Sequence, residues 1–195
     1  MASNSLLTPI NHLIMSKPEL RLSKSMKQVN PFRVMAVMHR ASELESAGKK
    51  IVHMEVGEPD FTTALPILNA AKDAINSGKT QYTEAPGIFD LRQSISHYYA
   101  IKYSVDVSPS RILITPGASG GLFLLANMLV SPNDGILISD PAYPCVRNFI
   151  HMLAAEPQLI PVGLEQNFQP NIDQINSCRK ENTTGIWLAS PSNPT

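Results

Sequence analysis

The chain has 195 residues, 43% of them hydrophobic and 16% charged, and its 16 basic and 16 acidic side chains balance to zero net charge. This composition is ordinary for a globular domain, and the charge balance argues against a basic nucleic-acid-binding face or a membrane-surface role. The two cysteines, Cys145 and Cys178, show no metal spacing, the five histidines contain no His-x-x-x-His pair, and no apolar run reaches membrane-spanning length.

Residues 1–26 read as a mobile lead-in. Leu6 to Met15 is broken by Pro9, Asn11 and His12 with no cationic stretch before it, so it is not a clean signal peptide, and Met26 is an alternative start. The competing reading of this stretch is an ordered arm on a partner subunit. Pro31 to Ala47 is expected to be a helix, with Val34, Met38, Ala41 and Leu44 at helical spacing, proline in the first turn and Gly48 after the last. Ile51 to Val56 reads as a strand, followed by the turn Gly57-Glu58-Pro59-Asp60-Phe61. That turn is either a plain loop or a lip where Gly57 brings backbone close to a substrate. Pro66 to Ser77 forms a second helix closed by Gly78, and Ile88 to Tyr103 a third, with Leu91, Ile95, Tyr98, Tyr99 and Lys102 on one face. Tyr82 lies in the loop between them, where a packing role is the ordinary reading of a lone tyrosine.

The stretch from Arg111 to Val130 organises the chain. Ile112, Leu113 and Ile114 have the pattern of a strand buried on both faces, and Leu122 to Val130 that of a buried helix. Between them lie Gly117, Ala118, Ser119, Gly120 and Gly121. Small residues let a ligand approach backbone amides, and the first amides of a helix are unpaired and lie at the positive end of its dipole. The turn therefore has three readings. It is a bare connection, a nucleophile elbow of Gly-x-Ser-x-Gly type with Ser119 as nucleophile, or a phosphate cradle. The glycine spacing is not that of a dinucleotide fingerprint, although Asp140, at the end of the next strand, stands where a ribose-binding acid would lie.

Beyond a turn at Pro132 to Gly135, Ile136 to Ile138 reads as a buried strand ending at Asp140-Pro141-Ala142-Tyr143-Pro144. A helix from Pro144 to Leu153, a strand from Leu159 to Val162, a short helix from Ile172 to Arg179 and a strand from Ile186 to Ala189 follow. Strands alternating with helices predict an α/β architecture, a mainly parallel sheet covered on both faces, with ligands beyond the carboxyl ends of the strands. Three strand ends carry distinctive residues there: Gly117 to Gly121, Asp140 to Pro144, and Ser190 to Thr195.

Six segments, in order, resemble the class I/II aminotransferases of the fold-type I pyridoxal-phosphate enzymes. They are Val-Gly-Glu-Pro-Asp-Phe at 56–61, Gly-Lys-Thr-Gln-Tyr at 78–82, Gly-Ile-Phe-Asp-Leu-Arg at 87–92, Thr-Pro-Gly-Ala-Ser-Gly-Gly-Leu at 115–122, Asp-Pro-Ala-Tyr-Pro at 140–144 and Ser-Pro-Ser-Asn-Pro-Thr at 190–195. The resemblance implies a three-layer large domain around a mainly parallel sheet. It places 27–60 in the N-terminal part of a small domain and 61–195 in the first part of the large pyridoxal 5'-phosphate domain. It also implies that Ala118, Ser119 and Gly120 hold the cofactor phosphate, that Tyr143 stacks on its ring and that Asn193 donates to its phenolic oxygen. Tyr82 would reach the cofactor of the neighbouring subunit in a homodimer, and Gly57 would lie near the substrate carboxylate. The implied activity is amino transfer from an L-amino acid to a 2-oxo acid by a cytoplasmic enzyme that takes no nucleic acid and no membrane.

The chain departs from that pattern in its lysines. Lys17, Lys24, Lys27, Lys49, Lys50, Lys72, Lys79, Lys102 and Lys180 all lie outside the context of the family's Schiff-base lysine. The expectation is an N-terminal half of an aminotransferase, inactive by itself. Two other readings remain: a serine hydrolase with Ser119 at its elbow, for which Asp134, Asp140 and His151 follow too closely to form separate strand-end loops, and a non-catalytic relic of the enzyme.

Overall fold

The computed structural model describes residues 21–195. Residues 1–20 of the expected lead-in lie outside that range, and its end, Lys24–Gln28, forms one 3-10 turn against the fifth helix. Six α-helices follow: α1 (Arg33–Ser46), α2 (Leu65–Asn76), α3 (Phe89–Tyr103), α4 (Gly117–Leu129), α5 (Pro144–Met152) and α6 (Ile172–Cys178). Three strands, β1 (Gly135–Asp140), β2 (Glu156–Pro161) and β3 (Thr183–Trp187), lie among them. Local chemistry sets the helix ends. Pro66 and Pro144 occupy first turns, where a missing N–H costs nothing. Asn171 caps α6 reciprocally with Gln174: the Gln174 N–H donates to Asn171 Oδ1 at 2.8 Å, and the Asn171 N–H to Gln174 Oε1 at 3.1 Å.

The strands form one parallel sheet in the order β2-β1-β3, with Ile138 of β1 opposite Leu159 and Trp187. Central β1 is buried from Gly135 to Ser139, as a strand covered on both faces must be. Ile136 and Ile138 pack with Val146 and Ile150 of α5 on one face. Leu137, Ile160 and Val162 pack with Phe168, Ile175 and Cys178 on the other, under α6. The result is the expected layering of helix, parallel sheet and helix. Both cysteines are free and partly buried.

Two expected strands are absent. Ile51 to Val56 is irregular, with Val52 and Met54 exposed, and Ile112 to Ile114 is extended but belongs to no ladder, with Leu113 half exposed. A strand exists only where another offers its hydrogen bonds; the backbone bonds here run from the Ile112 N–H to Pro109 O at 3.3 Å, a local turn, and from the Ile114 N–H to Pro86 O at 2.9 Å. The helix expected from Leu122 starts earlier, at Gly117, so the small-residue turn is itself the first turn of α4. The last two strands begin about three residues earlier than expected, at Glu156 and Thr183.

On α3 the buried position is Arg92, flanked by partly buried Ile95 and Ser96, while Leu91, Tyr98 and Tyr99 are exposed. The expected apolar face is therefore rotated, because Arg92 ties three segments together. Its guanidinium donates to Gly87 O at 3.0 Å, Pro109 O at 3.1 Å and Glu84 Oε2 at 2.7 Å. Gly87 itself sits at φ 94°, and any Cβ there would run into the Ile114 side chain. This knot seats the segment that leads into α4. Beyond it, the outer edge of β3 and the α4 residues Leu122, Leu125 and Leu129 line an open apolar groove of about 500 Å3.

Candidate functional site

The chain enters α4 through a tight turn. Thr115 Oγ1 donates to Gly117 O at 2.9 Å, and Gly117 adopts φ 70°, a left-handed conformation suited to glycine. A Cβ on Gly120 would lie 3.2 Å from Pro116 Cδ, and one on Gly121 would lie 3.2 Å from Thr115 Oγ1. Larger residues would therefore push the turn apart. No side chain caps α4, so its first amides, including those of Ala118 and Ser119, are left without an intrahelical acceptor at the positive end of the helix, and the Gly120 N–H is the first to bond back, to the carbonyl of the Pro116 cap.

Tyr143 stands at the N-terminal boundary of α5, where β1 has just left the sheet. Its hydroxyl lies 3.2 Å from Ser119 Oγ, joining the starts of the two helices. The ring is half-buried against the Ile138 core, and Phe32 meets it edge-on, centroids 6.1 Å apart and planes at 83°. The neighbouring Cys145 thiol, with burial adding, pushes the phenol above its ordinary range; the Ser119 contact opposes this. The hydroxyl therefore stays protonated at neutral pH. Phe32, Asp140, Tyr143, Arg147 and Asn148 line a cleft of about 420 Å3 beside the ring, where Arg147 Nη2 donates to Asp140 Oδ1 at 3.0 Å.

Of the residues singled out in the sequence, Ala118, Ser119, Gly120 and Tyr143 converge. Asn193 follows β3, which runs parallel to β1, so it leaves the sheet at the same carboxyl edge; its side chain is exposed. Gly57 and Tyr82 are exposed and share neither hydrogen bonds nor cleft walls with these residues among those described. Asp140 pairs with Arg147 in an ion pair, the kind of contact that makes no demand on a ribose. Sequence reasoning missed Phe32, Asn30 and Asn148. Phe32 follows the helix-opening proline and had that weak local signal, but the link between Asn30 and Asn148 spans 118 residues and leaves no local pattern.

The segment before Gly57 is held by an imidazole. His53 Nδ1 lies 2.6 Å from Glu55 Oε1 and its Nε2 lies 3.1 Å from Glu45 Oε1 on α1. Ionised carboxylates only accept, so both contacts require the doubly protonated ring. The hydrogen bonds to Glu55 and Glu45 accordingly raise the His53 pKa above its ordinary 6.5. The tie is fully present below pH 6.5 and is lost as pH rises through the elevated folded value. Protection of the amides of residues 51–58, taken relative to their intrinsic exchange rate at each pH, is expected to fall over that rise, and in a His53→Gln variant this fall should vanish. Protection factors that stay flat with pH in the parent chain would refute the tie.

Among the described residues no group of His, Cys, Asp and Glu is placed to hold a metal ion, and no helix is long and apolar enough to cross a membrane. Free amides at a helix start, beside an aromatic hydroxyl and beyond the carboxyl edge of a parallel sheet, are an arrangement at which α/β proteins bind small anions. The family model for aminotransferase class I and II matches residues 49–195, and the chain belongs to that family. It is 39% identical over 173 residues to a (5-formylfuran-3-yl)methyl phosphate transaminase of Methanocaldococcus jannaschii, covering 89% of this chain and 45% of that protein. It is 30% identical over 177 residues to an aspartate aminotransferase of Bacillus subtilis, covering 90% and 45%. An aminotransferase from Mycobacterium tuberculosis superposes with a TM-score of 0.84 at 31% identity, covering 91% and 45%. The chain thus spans about 45% of the length of the relatives it matches, and its fold is that of part of a fold-type I aminotransferase.

Proposed function

We propose that this chain supplies the phosphate-gripping half of a pyridoxal 5'-phosphate-dependent aminotransferase, moving an amino group from an L-amino acid to a 2-oxo acid. The observation that carries the reading is the α4 start: unpaired amides with no capping side chain, and a Ser119 hydroxyl already tied to the Tyr143 phenol. The residues fit the group. The backbone at Ala118, Ser119 and Gly120 and the Ser119 hydroxyl would hold the phosphate, and the Tyr143 ring offers a flat apolar face. Asn193 at the same edge would donate to the phenolic oxygen. When bound, the cofactor supplies an electron sink for the substrate's α-carbon. The chain's own part is to bind and orient it and to keep water from one face of its ring. Gly57 would lie by the substrate carboxylate, and fully exposed Tyr82 would reach across to a second subunit of a homodimer. In this reading 27–60 belongs to a small domain, 61–195 to the large one, and the enzyme is cytoplasmic.

In this reading the proton-moving lysine that transamination requires is not among the described lysines. Lys24, Lys27, Lys49, Lys50, Lys72, Lys79, Lys102 and Lys180 are all exposed, none lines the cleft, and Lys180 is paired with Glu156. These residues alone would therefore hold the cofactor without turning it over. Titration with pyridoxal 5'-phosphate, followed by absorbance, is expected to show saturable binding that Ser119→Ala weakens roughly 10-fold, the worth of one hydrogen bond to a charged group. Borohydride treatment should leave no single modified lysine; one specific adduct would refute the lysine argument. The hydrolase reading gains nothing from the site, since the hydrogen-bond partner of Ser119 is a phenol and no imidazole bonds to it among the described residues. Labelling of Ser119 by a fluorophosphonate would reverse that judgement. The relic reading, a non-catalytic binding module descended from the enzyme, allows binding and would be supported by the absence of a Schiff-base lysine from the full-length protein.

A further inference from the structure

One contact near the cleft has no part in gripping a phosphate. The side-chain amide of Asn148, on α5, reads the main chain of Asn30 in both directions. Asn148 Oδ1 accepts the Asn30 N–H at 3.1 Å, and Asn148 Nδ2 donates to Asn30 O at 2.8 Å. A carboxamide meeting both groups of one peptide residue imitates a strand neighbour, and it uses donor and acceptor at once. Two residues on, Phe32 is the boundary residue of α1 and sets its ring edge against Tyr143 at 83°. The Tyr143 hydroxyl in turn meets Ser119. These contacts form a line from α5, through the N-terminal segment, back to the ring at the start of the same helix.

We propose that Asn148 is a positioning residue for the cofactor ring: by gripping the backbone of Asn30 it holds Phe32 edge-on to Tyr143 and so fixes the plane on which the heterocycle stacks. The inference rests on the proposed function. An aromatic ring held at one end by a hydroxyl contact still rotates about its long axis; an edge-on neighbour resists that rotation. Phe32 reaches this place only if the chain before α1 is tied to α5. The two amide hydrogen bonds are the polar side-chain contacts across that gap among the described residues. The charged groups on the cleft, Arg33, Asp140 and Arg147, make no hydrogen bond to Asn30 among the described residues; Arg147 is paired with Asp140.

Asn148→Asp is the discriminating variant, because it keeps the side chain's size and replaces the donor by a carboxylate facing the Asn30 carbonyl. Ring-carbon NMR of the five tyrosines, with the Tyr143 signals assigned by Tyr143→Phe, reports the ring without any cofactor present. In Asn148→Ala, and in Asn148→Asp at neutral pH, the Tyr143 ring signals should shift and average by faster flipping. Affinity for pyridoxal 5'-phosphate should fall roughly 5- to 20-fold. Acid should restore Asn148→Asp, whose protonated carboxyl both donates and accepts, and should not restore Asn148→Ala. Phe32→Leu, which leaves α5 untouched, should reproduce the ring change. Tyr143 signals and affinity unchanged in all three variants would overturn the proposal, as would an Asn148→Asp deficit that acid does not relieve. Should the parent chain take no pyridoxal 5'-phosphate, the proposed function fails and the ring signals alone decide: moved by Asn148→Ala, they support the positioning role; unmoved, they overturn it.

Discussion

Arg92→Ala is expected to lower the free energy of unfolding by about 2–4 kcal/mol, the scale of leaving two main-chain carbonyls without their donor and vacating the space of a buried side chain. The guanidinium is 8% exposed and serves two main-chain carbonyls, Gly87 O and Pro109 O, as well as the Glu84 carboxylate. Glu84 is mostly exposed, so water replaces its lost partner. The cost comes instead from the two carbonyls left without their charged donor and from the space the side chain occupied. Arg92→Lys keeps the charge and loses the planar fork, so it should fall between the two, at roughly 1–2 kcal/mol. Urea unfolding followed by the fluorescence of Trp187, the chain's one tryptophan, checks both values. An alanine variant within about 1 kcal/mol of the parent would show that the carbonyls find other donors.

At the proposed cofactor site the largest effect belongs to the ring of Tyr143. Tyr143→Ala removes the stacking face, the partner of Ser119 and the surface that receives Phe32. Loss of one stacked aromatic is worth about 2–3 kcal/mol, which predicts affinity for pyridoxal 5'-phosphate roughly 30- to 150-fold weaker. Tyr143→Phe keeps the ring and gives up only the hydroxyl contact, for an expected loss under about 10-fold. The gap between the two variants measures stacking apart from hydrogen bonding. Equal losses would mean that the hydroxyl, and not the ring, is what the ligand needs.

The helices were legible because their signals are local. The Pro66 and Pro144 starts, the Gly48 and Gly78 stops and the three-to-four spacing of apolar side chains all act within a turn or two of chain. Strands depend on a partner that may be far away in sequence. Ile136 to Ile138 found one on each side, whereas Ile112 to Ile114, equally apolar, found none. Composition reports how strongly a segment avoids water and is silent on which edge awaits it. The small-residue turn, Ser119 and Tyr143 were readable for a similar reason: the glycines from Gly117 to Gly121 let the chain enter α4 within a few residues. The roles of Arg92, Phe32 and Asn148 emerge only when segments 17 to 118 residues apart are brought together. A buried arginine on a helix face offers no pattern distinct from an exposed one until its carbonyl partners are in place.

The grip of Asn148 on Asn30 also has a bearing on the order in which the molecule assembles. Closing a flexible loop of 118 residues costs about 4 kcal/mol in chain entropy, and two neutral hydrogen bonds return only about 2 kcal/mol. That clasp therefore cannot nucleate anything: it snaps shut after the intervening polypeptide has shortened the span, and a nascent chain on the ribosome reaches α5 long after its N-terminal segment has emerged. The orientation of the Tyr143 ring is thus a late acquisition, made once the scaffold beneath it already stands.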